Sequence, residues 1–218
     1  MLTKKERVEA VLSGNCPDRT PTGFWMHFPT EWFFGSASVK AHLDYFRESK
    51  TDICKVMTEH LYPYCPIKQA EDWRMVGEYG EDAEFIQKQA DIIRMIVREC
   101  PDASVAATIH GVYASGSHSL MGEQRYDKVG RYAQLYHLRT NPEPVLEAYR
   151  SIAKSLISLV RASVKAGAEG IYYAALGGEA DGLNDDEHRA FLAELDKEIL
   201  QSAYDAGAKY VVLHMCKP

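Results

Sequence analysis

The chain has 218 residues, 46% of them hydrophobic and 26% charged, with a formal net charge of −6. That length supports one sizeable core, the charge argues against a nucleic-acid or anionic-membrane partner bound by bulk electrostatics, and no apolar run nears the roughly 20 residues of a membrane span. Met1 to Arg7 lacks the apolar stretch of a signal peptide, and five scattered cysteines (Cys16, Cys54, Cys65, Cys100, Cys216) without CxxC spacing fit a reduced, cytoplasmic setting.

Thr3 followed by Glu6 makes a capping box, and Val8, Val11 and Leu12 give a short amphipathic helix that stops at Gly14. A Pro-rich loop, Cys16-Pro17-Asp18-Arg19-Thr20-Pro21, leads into an expected first strand from Gly23 to Phe28, with Trp25 and His27 on one face. Val39 to Phe46 is helical in pattern. Asp52 to Met57 is the second expected strand, with Lys55, Met57 and Glu59 sharing a face. Residues 58 to 80 read as a long loop with a hairpin near Trp73 to Tyr79, and loops of that length often carry function. Ala83 to Glu99 is a helix whose apolar side is marked by Phe85, Ile86, Ile92, Ile93, Ile96 and Val97.

Ser104 to Ile109 is the third expected strand, with Ser104, Ala106, Thr108 and His110 in line, followed by a Gly/Ser-rich stretch to Gly122. Asn141-Pro142-Glu143 starts a helix with an N-cap, a proline in the first turn and an acid beside it. Ala166-Gly167-Ala168 ends it, and Ile171 to Ala175 is the fourth strand. Gly177-Gly178-Glu179 is a turn. Asn184 and Glu187 cap a further helical region that ends at Ala206-Gly207-Ala208, a repeat of the earlier stop, and Tyr210 to Cys216 is the fifth strand.

Strands that alternate with helices argue for parallel βα units. Several strands end in ionisable groups: His27, Glu59 or His60, His110, Glu179 just beyond its strand, and His214 with Cys216. In a barrel of parallel strands those ends carry the chemistry. About five strands are readable against eight in a closed (β/α)8 barrel. An open sheet could use five, but the first βα turn has no Gly-rich phosphate loop.

His214 and Cys216 stand two apart on one strand face, so both can reach one soft cation. The plainer reading is a packed histidine beside a buried thiol. His110 has three readings, a general acid, a metal ligand or a hydrogen-bonded internal residue, and His27 is read the same way. Lys55 and Glu59 are placed to pair. Tyr172 and Tyr173 turn one ring inward and one toward the helices. Glu179 and Asp181 offer oxygens to a site shared with His214.

The opening Lys4-Lys5-Glu6-Arg7-Val8, then Pro17-Asp18-Arg19-Thr20-Pro21 before the first strand, then the order of elements, resemble the uroporphyrinogen decarboxylase superfamily of (β/α)8 barrels. Within it, His214-x-Cys216 is similar to the zinc motif of the corrinoid methyltransferase branch, the methylcobalamin:coenzyme M type. The resemblance implies zinc on His214 and Cys216, with a third, distant cysteine that has no counterpart in this sequence. It implies a thiol small molecule as methyl acceptor, and a methylated corrinoid as donor, either free cobalamin or carried by a partner protein. It makes His110 and Glu179 the catalytic candidates and His27 a cofactor-facing one. The decarboxylase proper has an arginine-rich stretch after its first strand, where this chain has Met26-His27-Phe28-Pro29-Thr30-Glu31-Trp32. Residues 1–218 are then expected to be one incomplete barrel domain, its C-terminal part lying beyond the chain. Its open edge strands would be covered by a partner chain or an exchanged dimer.

Overall fold

A computed structural model describes residues 1–122, 128–175 and 182–215. Its frame is a parallel sheet of four strands: β1 (Ile53–Val56), β2 (Ser104–His110), β3 (Gly170–Ala175) and β4 (Tyr210–Met215). They lie side by side in chain order. Connections of one hand between neighbouring parallel strands put successive helices on the same face. That winding matches part of a TIM-type barrel wall and differs from a doubly wound sheet, where the strand order reverses.

The helices are α1 (Lys4–Leu12), α2 (Gly35–Ser49), α3 (Glu84–Glu99), α4 (Val112–Met121), α5 (Lys128–Thr140), α6 (Pro142–Lys165), α7 (Asp185–Phe191) and α8 (Ala193–Asp205). Alternation sorts each strand's side chains. Cys54, Val56, Val105, Ala107, Ile109, Ile171 and Tyr173 join the helix-side core with Ile86, Ile93, Ile152 and Ile199. Ile53, Ala106 and Tyr210 point the other way and pack on Val8 of α1, which covers the N-terminal end of that second face. The repeated Ala-Gly-Ala stops are two copies of one cap. Gly167 and Gly207 take φ of 105° and 101°, and Ala168 and Ala208 donate back to the Ser163 and Ala203 carbonyls. This six-to-one bond closes the helix end, and its left-handed residue favours glycine.

Two expectations from the sequence need correction, and one stretch read only by composition takes a definite form. Residues 23–28 do not form a strand. They run beside β1, and the Thr22 carbonyl accepts from the Asp52 and Ile53 amides. Pro21 and Pro29 flank the segment and cannot donate to a ladder. The hairpin expected near Trp73 is a 3-10 helix, Ala70–Met75. It sinks Trp73 completely into the core, where the indole N–H donates to His137 Nδ1 at 3.1 Å. The Gly/Ser-rich stretch after β2 is α4, mostly buried. Its small residues permit a close approach: a Cβ on Gly116 would meet Gln134 Nε2 at 2.8 Å and the Tyr149 ring at 3.2 Å.

The residues that carried the family resemblance form an ionic knot under the sheet. Arg7 bonds Asp18 at 2.6 Å and Asp52 at 2.6 Å, and Arg19 bonds the other Asp52 oxygen at 2.6 Å. The Thr22 amide also donates to Asp52, at 2.9 Å. The four described cysteines are free thiols, and no helix among the described residues is long and apolar enough to cross a membrane.

His42 on α2 ties the helix layer to the end of β1. Its Nε2 accepts from the Met57 amide at 2.8 Å and its Nδ1 lies 2.7 Å from the Ser38 carbonyl. Accepting at Nε2 while Nδ1–H donates to Ser38 requires the neutral ring. Burial, helped by the Lys55 charge, brings its pKa down to about 4. The unfolded chain therefore binds a proton first, and stability contributed by neutral His42 is complete above about pH 6.5 and lost as pH falls toward 4. The lost amount is of order 3 kcal/mol. Urea unfolding at pH 7 and pH 4.5 should show a smaller difference in His42→Gln than in the parent; equal differences would remove His42 from the account.

Candidate functional site

Above Val8 and Tyr210, the face of the sheet away from the helices opens into a cleft of about 110 Å³ at the C-terminal ends of the strands. Each strand sends residues into it by the two-residue period. β1 and the segment after it supply Lys55, Met57 and Glu59; β2 supplies Thr108 and His110; β3 supplies Tyr172 and Ala174; β4 supplies His214. The register sets His110, Ala174 and His214 in one row across three strands. Trp25, although outside the ladder, reaches over this face, and its Nε1 donates to Tyr172 Oη at 3.1 Å.

Lys55 is nearly buried. Its Nζ lies 4.0 Å from the Trp25 ring centre and 4.2 Å from that of Tyr172, and 2.8 Å from Met57 Sδ. Two aromatic faces stabilise an ammonium, so the charge is held inside the cleft. His27 is on the cleft side, as its pairing with Trp25 in the sequence implied: the two rings sit 5.3 Å apart. His27 Nδ1 is 3.6 Å from Glu59 Oε1. His110 packs edge-on against His118 of α4 at 4.9 Å.

The His214 ring lies 5.4 Å from Tyr172 and 5.8 Å from Trp25. Burial, and then the Lys55 charge, lower its pKa. A lowered pKa keeps the imidazole neutral, the form that binds metals. Tyr172 faces the cleft and Tyr173 faces the helices, bonding Asp196 there. Cys216, Glu179 and Asp181 fall outside the described residues. Among the described residues no group of three or more His, Cys, Asp or Glu stands where it could hold a metal ion. They supply a single donor, His214, from the pair read in the sequence.

Two cleft residues escaped the sequence reading. His118 and Arg131 come from α4 and α5, elements beyond the strand ends, and no spacing ties them to the sheet. A second chamber of about 580 Å³ adjoins the cleft. Glu59, Leu61 and His118 line both.

No family model matches the chain, and no curated protein matches it. A solved structure, a methyltransferase from Methanosarcina mazei, matches with a TM-score of 0.68 at 19% identity, over 99% of this chain and 70% of that one. At that identity the likeness bears on the fold alone: an α/β chain built on a parallel sheet.

Proposed function

We propose that this chain takes part in methyl transfer, with a methylated corrinoid as donor substrate and a small thiol as acceptor, at the C-terminal ends of its strands. One observation supports this most: His214, held neutral, projects into the cleft two residues before Cys216. Strand alternation, continued, would bring the thiol to the same side. The fold likeness to a methyltransferase adds support. His214 and Cys216 would hold zinc, and zinc there would keep an acceptor thiol deprotonated near neutral pH. Tyr172 and Trp25 flank the imidazole and limit its rotation. His110 shares its row with His214, two strands away, and in this reading it would move a proton at the acceptor.

Metal analysis of the purified chain after zinc loading and dialysis tests this. The expected result is about one zinc per chain, reduced at least tenfold in Cys216→Ala, with methylcobalamin demethylated by 2-mercaptoethanol only in the zinc-loaded protein. Sub-stoichiometric zinc that Cys216→Ala leaves unchanged overturns it.

A second reading is decarboxylation of a carboxylated tetrapyrrole, favoured by the presence of Lys55 and Arg131 in one cleft. Turnover of uroporphyrinogen by metal-stripped protein is the result that would select it.

A further inference from the structure

The two chambers differ in chemistry and share Glu59, Leu61 and His118 as lining. The outer chamber, about 580 Å³, is walled by Phe33, Phe34, Leu61, Pro63 and Tyr64. That volume falls within the range of small-molecule sites, roughly 300–1,000 Å³. Its wall is braced: the Cys65 amide donates to the Ser119 carbonyl of α4 at 2.8 Å, which pins the Tyr64 segment. The inner cleft, about 110 Å³, holds only a few atoms, the space of three or four waters at roughly 30 Å³ each.

Cationic and hydroxyl side chains line the inner cleft. Lys55 and Arg131 bring two cationic side chains to it, and Glu59, beside His27, borders both chambers. Thr108 also lines it. Its Oγ1 is buried without a hydrogen-bond partner among the described residues, and the residue is 1% exposed. A buried hydroxyl left unbonded costs about 1–3 kcal/mol, and an acceptor entering the cleft would relieve that cost.

We propose that the chambers connect between Glu59, Leu61 and His118 and together bind an aryl acid: its flat apolar body between the aromatic walls of the outer chamber, its anionic head in the inner cleft against Lys55, Arg131 and Thr108. The pairing follows from size as well as charge, since the ring system fits only outside and the acid group fits inside. The inference concerns what the cleft holds and stands under either reaction named above.

Calorimetry with 2-naphthoate and with its neutral counterpart 2-naphthalenemethanol tests it without reference to activity. The full chain should bind one naphthoate, at least tenfold more tightly than the alcohol. Lys55→Met should erase that discrimination. Phe34→Ser, at a position already half-exposed, should weaken both ligands together and leave the ratio intact. Equal affinity for the two ligands, or no naphthoate binding at millimolar concentration, overturns the proposal on the parent protein alone. Discrimination that survives Lys55→Met overturns the assignment of the head group. Zinc content is irrelevant to these outcomes, so failure here and failure of the methyl-transfer reading are separable.

Discussion

Asp52→Ala should cost the fold about 3–5 kcal/mol, measured by urea unfolding at pH 7. The carboxylate is wholly buried between Arg7, itself 4% exposed, and the half-exposed Arg19. It also accepts from the Thr22 amide. Burial alone would push its pKa up, but the two arginines and the amide outweigh that and hold it below the usual carboxylate range. Removing it leaves the Thr22 N–H without its acceptor and Arg7 with one carboxylate in place of two. Arg19 can turn to water, so most of the loss comes from Arg7 and from the freed Thr22 segment. Asp52→Asn should lose less, because an amide oxygen can still accept from Thr22. A loss under 1 kcal/mol in Asp52→Ala would mean that the knot adds nothing to stability.

The second large effect is expected at His214. If it is a zinc ligand, His214→Ala should lower zinc affinity by more than about 100-fold. Partners that merely orient a ligand are already worth 10–100-fold. Two further readouts separate a ligand from a packed ring. Because its pKa is lowered by burial and by Lys55, proton competition at the His214 ring should add to the pH dependence of zinc uptake only below the ordinary histidine value of about 6.5, on top of the proton that Cys216 gives up. Lys55→Met removes one of the two causes, so that competition should then begin at higher pH. Unchanged zinc binding in His214→Ala, or a midpoint that Lys55→Met does not move, would return His214 to a structural role.

The alternation of strands and helices was plain in the sequence because each helix carried its own start and stop. Asn184 with Glu187 forms the capping box that its spacing implied, and the two Ala-Gly-Ala stops are a single backbone device used twice. The inward row of β2 was equally legible, since Ser104, Ala106, Thr108 and His110 follow a period of two. Residues 23–28 misled because their face pattern is that of a strand. Trp25 and His27 do share a side, but the prolines at either end deny the segment its ladder. α4 was not readable as a helix. Glycine and serine weaken an isolated helix, yet against Gln134 and Tyr149 only small residues fit, and the Ser117 hydroxyl is satisfied by the Tyr113 carbonyl and Gln134. His118 and Arg131 had no sequence signal, because a helix that returns over the mouth of a sheet leaves no mark in local spacing.

The position of α1 bears on how the chain reaches its final form. Val8 touches Tyr210 of the last described strand, and Glu9 meets Lys209 at 3.0 Å across 200 positions of sequence. Exposed ions of this kind contribute little, so the grip comes from Val8. Contacts between such distant positions close late, after the long intervening loop has lost its freedom. α1 therefore clasps both ends of the strand order, through Arg7 on Asp52 beside β1 and Val8 on Tyr210 of β4, and limited proteolysis that trims the first dozen residues should loosen β1 and β4 together.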